Sequence, residues 1–160
     1  MTSFCCYKDI VYQIIGAAMT VHQKLGWGLL EAVYNEALCL ELGRRGIVAN
    51  PEVPIKCYYD GIPLKKEYKA DVLVGDILVE LKSTIDIIPK HRAQLFNYLR
   101  LTQKPIGLLI NFGEPSLHGE RYGLDAETNV CYLLGKDMMN KPIPYEYFDS
   151  DIDYLEDSPQ

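Results

Sequence analysis

The hydrophobic positions of this chain change period twice, and each change marks a new kind of element. Between Lys8 and Leu25, apolar side chains recur at Ile10, Val11, Ile14, Ile15, Ala18, Val21 and Leu25, the spacing of a helix with one broad buried face. Gly26-Trp27-Gly28 stops it, with Gly26 a natural C-cap. A second helix is predicted from about Leu29 to Leu42, ended by Gly43 or by the Arg44-Arg45-Gly46 turn. From Ile47 the period becomes two: Val53 to Tyr59 alternates, Asp60-Gly61 makes a turn, and a short Ile62-Pro63-Leu64 piece leads towards Tyr68. Pro54 puts the first strand at an edge or bulge. Two β-branched runs, Val72 to Val74 and Ile77 to Val79, flank Gly75-Asp76, a two-residue loop whose leading glycine suits a type II′ hairpin.

Helical spacing returns after Ile87-Ile88-Pro89, with Pro89 near the first helical position, where its missing N–H costs little. This helix runs to about Thr102, and Gln103-Lys104-Pro105 ends it. Ile106 to Phe112 is a near-continuous apolar run, the signature of a strand buried on both faces. Beyond Gly113 the pattern weakens: 121–124 and 130–134 read as peripheral strands, with turns at Gly119 and at Glu127-Thr128-Asn129.

The order helix, helix, three strands, helix, strand makes an α/β sandwich around a mixed sheet, the strand–helix–strand portion being a crossover unit. At 160 residues and 48% hydrophobic composition, one domain with a real core is the simplest reading. We assign 1–137 to that domain and 138–160 to an extended acidic C-terminal tail, because prolines at 142, 144 and 159 accompany Asp149, Asp151, Asp153, Glu156 and Asp157. The net charge of −6 argues against a general nucleic-acid coat protein. Lys65, Lys66, Lys69, Lys82, Lys90, Arg92, Arg100 and Lys104 nevertheless gather around the hairpin and the segment after it, a local basic strip. The five cysteines are odd in number and contain no C-x-x-C, so reduced thiols in a cytoplasmic protein are expected rather than a disulfide framework or a thiolate metal site. No targeting signal or membrane span is read. His22, in the last turn of the first helix, is most simply a packed or capping histidine.

The hairpin carries the chemistry. If Gly75-Asp76 is its turn, Val74 faces Ile77, Val72 faces Val79, and Asp71 lies opposite Glu80, with Cβ atoms about 4.5–5.5 Å apart. Lys82, two residues on, shares the face of Glu80. Two carboxylates and an ammonium then converge on an apolar sheet. Like charges so opposed are destabilising, more so when buried. A shared proton, the lysine or a divalent cation must offset them. Oxygen ligands alone select Mg²⁺ or Mn²⁺ over zinc.

Two motifs now coincide. Gly28-Leu29-Leu30-Glu31-Ala32-Val33-Tyr34 resembles the G-x-x-E-x-x-Y signature of the GxxExxY proteins. Asp71 with Glu80-Leu81-Lys82 resembles the D…E-x-K core of the PD-(D/E)xK nuclease superfamily, to which that family is assigned. Gln94 to Tyr98 is similar to the Q-x-x-x-Y element of RecB-type members, and Val21-His22 and Leu109 to Gly113 look family-like as well. Ala70 stands in place of the motif's proline. The resemblance spans roughly 8–124 and implies a restriction-endonuclease-like core of αβββαβ order, a central mixed sheet flanked by helices.

It further implies metal-dependent hydrolysis of nucleic-acid phosphodiesters, with DNA the favoured substrate and Mg²⁺ (or Mn²⁺) the cofactor. Carried over by residue, Asp71, Glu80, the Leu81 carbonyl and Glu31 would ligate the metal, Glu31 often through water. Lys82 would orient or deprotonate the attacking water, and Gln94 and Tyr98 would position the lysine and the substrate phosphate. Tyr34, Lys90, Arg92, Tyr98 and Arg100 are the expected substrate contacts. Many compact nucleases cut duplexes as dimers, so a homodimer is a candidate state. Two other readings stand beside this one: a nucleic-acid- or protein-binding module that keeps the fold without useful turnover, and a purely structural salt-bridge network among Asp71, Glu80 and Lys82.

Overall fold

A computed structural model describes residues 3–148. Helices α1 (Lys8–Leu25) and α2 (Glu31–Arg44) come first, then strands β1 (Asn50–Tyr59), β2 (Ile62–Val74) and β3 (Ile77–Lys82). Helix α3 (Pro89–Thr102) follows, then β4 (Ile106–Asn111), β5 (His118–Asp125), β6 (Val130–Leu134) and the two-residue β7 (Asn140–Lys141). The seven strands form one sheet in sequence order, β1 to β7. Every neighbouring pair is antiparallel except β3 and β4, which run parallel because α3 carries the chain back between them.

The sheet is covered on both faces, which is why β4 is buried at every position. On one face α1 and α2 press Ile14, Ala18, Tyr34 and Leu38 onto Val72, Val79, Leu108 and Ile110. On the other, α3 presses Leu95, Phe96 and Leu99 onto Leu78, Leu109, Tyr122 and Leu124. Gly107 permits that second contact: a Cβ there would come 2.9 Å from Leu95 Cδ1 and 3.0 Å from Leu99 Cδ1, inside van der Waals distance.

Several expectations are revised. The second helix starts at Glu31, two residues late, because Leu30 is extended (φ −63°, ψ 143°) and acts as its N-cap. Ile62 to Leu64 is no separate piece but the start of a thirteen-residue strand, whose exposed lysines hide the alternation. Gly119, read as a turn, lies inside β5 opposite Ile110. The folded body also runs past 137: Met138 is 1% exposed, β7 pairs with β6, and the Tyr147 ring lies 3.6 Å from the Arg92 guanidinium carbon. The acidic residues from Asp149 onward lie outside the described residues. No described helix is long and apolar enough to cross a membrane.

Candidate metal and nucleic-acid site

The β2–β3 turn fixes the register of the site. Gly75 has φ +56°, as a type II′ turn requires of its first central residue. Val74 pairs with Ile77, Leu73 with Leu78 and Val72 with Val79. At the next step side chains take over the hydrogen bonding. The Asp71 N–H donates to Glu80 Oε1 at 3.1 Å, and the Leu81 N–H donates to Asp71 Oδ2 at 2.8 Å. Each carboxylate is thereby anchored to the other's strand. From α2, Asn35 Nδ2 donates to the Asp71 carbonyl at 3.0 Å and holds the β2 backbone.

This row coincides with a bend in the outer strands. Glu52 of β1 sits between the pairs Pro51–Val72 and Val53–Ala70 with φ +54°, a left-handed conformation uncommon for a residue with a side chain. Ala70 packs with the α3 layer and Val72 with the α1–α2 layer, although residues two apart in a regular strand share a face. Such irregularities re-aim side chains and are frequent beside active sites. The left-handed Glu52 and the charge it brings near Asp71 were not legible in the sequence.

The lysine acts on the acids through its charge, which lowers both carboxyls, while its hydrogen bond goes elsewhere. Lys82 Nζ donates to Gln94 Oε1 at 3.1 Å, and Gln94 Nε2 donates to the Tyr98 hydroxyl at 2.9 Å. Gln94 and Tyr98, four residues apart on α3, thus hold the ammonium from above. Among the described residues no salt bridge joins Lys82 to either acid. Glu80 is only 3% exposed; burial first, and the Asp71 charge second, push its carboxyl up to about 9. Burial also raises Asp71, against the opposing effect of the Leu81 N–H. Burial and mutual repulsion thus favour a protonated Glu80 beside Asp71.

Glu31 is not brought into this cluster. It is exposed at the first position of α2, and among the described residues no three His, Cys, Asp or Glu side chains form a metal-holding group. Its helix start is nevertheless tied to the site, since the Ser83 hydroxyl, one residue beyond Lys82, donates to the Leu29 carbonyl. The donor set is one buried and one half-buried carboxylate, Glu80 and Asp71, where the β2–β3 backbone pairing gives way to side-chain bonds. It suits a hard divalent cation, which would displace the Glu80 proton and relieve the repulsion.

Of the expected substrate contacts, Lys90, Tyr98 and Arg100 line one groove of about 550 Å³ with Gln94 and Tyr68. The other two do not. Tyr34 is fully buried, stacks on Phe112 at 4.4 Å, donates to the Gly26 carbonyl at 2.7 Å and accepts from the Leu29 N–H at 3.1 Å. It shapes the loop before α2 instead of meeting a substrate. Arg92 is 7% exposed and makes a bidentate pair with Glu120, both bonds 2.8 Å. Its charge is neutralised inside the protein.

The model of the PD-(D/E)XK nuclease superfamily matches residues 8–122, and the chain belongs to that superfamily. Its α/β architecture, with helices on both faces of a mixed sheet, is the restriction-endonuclease-like fold. No curated protein matches the chain. Among solved structures, the crystal structure of SSO0001 is similar over 61% of this chain at 22% identity and a TM-score of 0.47. This chain spans 52% of that protein's length.

Proposed function

We propose that this protein is a metal-dependent nuclease that hydrolyses phosphodiester bonds of DNA, with Mg²⁺ or Mn²⁺ held by Asp71, Glu80 and the Leu81 carbonyl. The observation that carries the reading is the Asp71–Glu80 pair, a half-buried and a buried carboxylate bound to each other's strand, with the adjacent lysine held by a glutamine and making no salt bridge to either among the described residues. The G-x-x-E-x-x-Y spacing of Gly28, Glu31 and Tyr34 supports placing it among the GxxExxY proteins, and the buried tyrosine gives that spacing a reason. The five unpaired cysteines support a reducing, cytoplasmic setting.

When bound, the cation supplies Lewis acidity to a phosphoryl oxygen and lowers the pKa of water. The chain's own residues do the rest. Lys82, steadied by Gln94 and Tyr98, presents its ammonium to the phosphate and to the attacking water. The Ser83 hydroxyl, bonded to the Leu29 carbonyl, ties the start of the Glu31 helix to the strand that carries Glu80 and Lys82. Lys90 and Arg100 contact flanking phosphates along the groove they share with Gln94.

A binding module without turnover is favoured by one observation: Glu31 stands outside the cluster, so two carboxylates alone face the cation. The readings separate in a cleavage assay on single- and double-stranded DNA with Mg²⁺, Mn²⁺ or EDTA. A nuclease cleaves with metal, stops with EDTA, and is silenced by Asp71→Ala or Lys82→Ala at unchanged folding. Equal cleavage by the Asp71→Ala/Lys82→Ala double variant overturns the nuclease reading.

A further inference from the structure

Glu120 gathers three donors, Arg92, Tyr122 and His118, and of these His118 is the one that opens to solvent. Its carboxylate accepts both Arg92 bonds, a bond from the Tyr122 hydroxyl, and a bond from His118 Nε2 at 2.6 Å. Arg92 balances the Glu120 carboxylate, so a proton on His118 is held by its bond to Glu120 and by the charge of Glu114, which also faces it. The arginine end is sealed by burial and by the Tyr147 ring. The His118 end is open: its side chain is 39% exposed against 5% for Glu120. Among the described residues its only hydrogen bond is the one to Glu120, so Nδ1 is free for a ligand.

The register puts His118 on the working face of the sheet. Glu80 lies beside Leu109, and Leu109 beside Glu120; Lys82 lies beside Asn111, and Asn111 beside His118. Leu109 and Tyr122 pack under α3, the side from which Gln94 reaches Lys82 and Arg92 reaches Glu120. Two strand spacings separate Lys82 from His118, about 10 Å backbone to backbone. That spacing exceeds the width of one phosphate and suits a neighbouring phosphate on the same DNA strand. Asn111, between them, is neutral and committed to Thr84, Gly113 and Glu114.

We propose that His118, oriented by Glu120, contacts a backbone phosphate flanking the one cleaved, and so extends the substrate footprint across β4 to β5. This rests on the nuclease reading and adds a contact no motif marks. The charged groups that face His118 are Glu120, Glu114 from the loop before β5, and Arg92 from α3. The bond to Glu120 raises its pKa most, Glu114 raises it further, and burial and Arg92 oppose.

The test is fluorescence anisotropy of a short DNA duplex with the full chain, Ca²⁺ replacing Mg²⁺, across a range of salt. Wild type is compared with His118→Gln, which can keep the bond to Glu120, and with His118→Arg, which keeps the charge. We expect His118→Gln to bind several-fold more weakly near pH 6, with the log–log salt slope shallower by about 0.9. His118→Arg should restore both. Glu80 also titrates, its carboxyl pushed up to about 9, so the pH effect is read as a difference: raising the pH to about 9 should weaken wild type more than His118→Arg. Affinity and slope of His118→Gln equal to wild type, with DNA still bound and cut, overturn the His118 contact alone. Failure of wild type to bind DNA at all overturns it together with the nuclease reading.

Discussion

The Asp71 backbone N–H donates to the Glu80 carboxylate, while the Asp71 carboxylate accepts from the Leu81 N–H next to Glu80. This cross-anchoring holds two acids together that would otherwise swing apart to solvent. Desolvation disfavours the charged form of both, and of Glu80 most.

The first consequence concerns stability without metal. Glu80 has a folded-state pKa of about 9 against an ordinary 4.5, so the folded protein binds a proton that the unfolded chain has released. Its contribution to stability therefore falls as pH rises from about 4.5 to about 9, and stays lost above that. Glu80→Gln removes the titration. Thermal melts in EDTA should show the variant more stable than wild type above neutral pH, by roughly 2–4 °C for each kcal/mol relieved, with the gap closing towards pH 5. Mg²⁺ should raise the wild-type melting temperature and leave the variant nearly unmoved.

Gln94 is expected to act through Lys82. Gln94→Ala removes one partner of the ammonium and frees the Tyr98 hydroxyl. A hydrogen bond to a charged group contributes about 1.5–3 kcal/mol, so kcat should fall about 10- to 100-fold with KM little changed. Steady-state kinetics check this; a loss confined to KM would make Gln94 a binding residue.

Arg92 belongs to the fold, contrary to the expectation from its place in the basic strip. Arg92→Ala leaves the buried Glu120 without its main partner, a change that costs about 3–5 kcal/mol. Denaturant unfolding should show that loss. Burial would raise the Glu120 carboxyl, but its bonds to Arg92, His118 and Tyr122 prevail and hold it down to about 2. Its stabilisation is present above the ordinary carboxylate range and disappears as pH falls from about 4.5 through about 2. Arg92→Ala should flatten that acid limb.

Glu52→Gly tests whether the bend opposite Asp71 is strained. Glycine adopts φ +54° without the penalty a side chain carries, so the variant should be more stable by about 1 kcal/mol. Equal or lower stability would mean that the Glu52 side chain contributes contacts that outweigh the strain.

What the sequence could show depended on whether the cause was local. Gly75-Asp76 sets the hairpin register within four residues, so Val74–Ile77, Val72–Val79 and the Asp71–Glu80 meeting were legible. The Lys8–Leu25 helix was legible to the residue, because its apolar period and Gly26 stop are both local. Arg92 and Tyr34 were misread because their partners are distant or their burial is tertiary: Glu120 lies 28 residues from Arg92, and Phe112 stacks on Tyr34 from β4's far end. His118 carries no motif, and only the β3–β4–β5 register reveals its row. The long β1–β2 ribbon was hidden because most of its outer residues, Lys65 and Lys66 among them, are exposed on both sides.

The central claim is that Asp71 and Glu80 bind a hard cation by giving up the Glu80 proton. Isothermal titration of Mn²⁺ into the metal-free protein near pH 7.5, repeated in two buffers of different ionisation enthalpy, measures binding and proton release together. Saturable binding is predicted, with about one proton released per ion. It should be lost in Asp71→Asn, and any binding to Glu80→Gln should come without proton release. Absence of binding to the folded wild type, or binding that both variants retain with the same proton release, would contradict the claim.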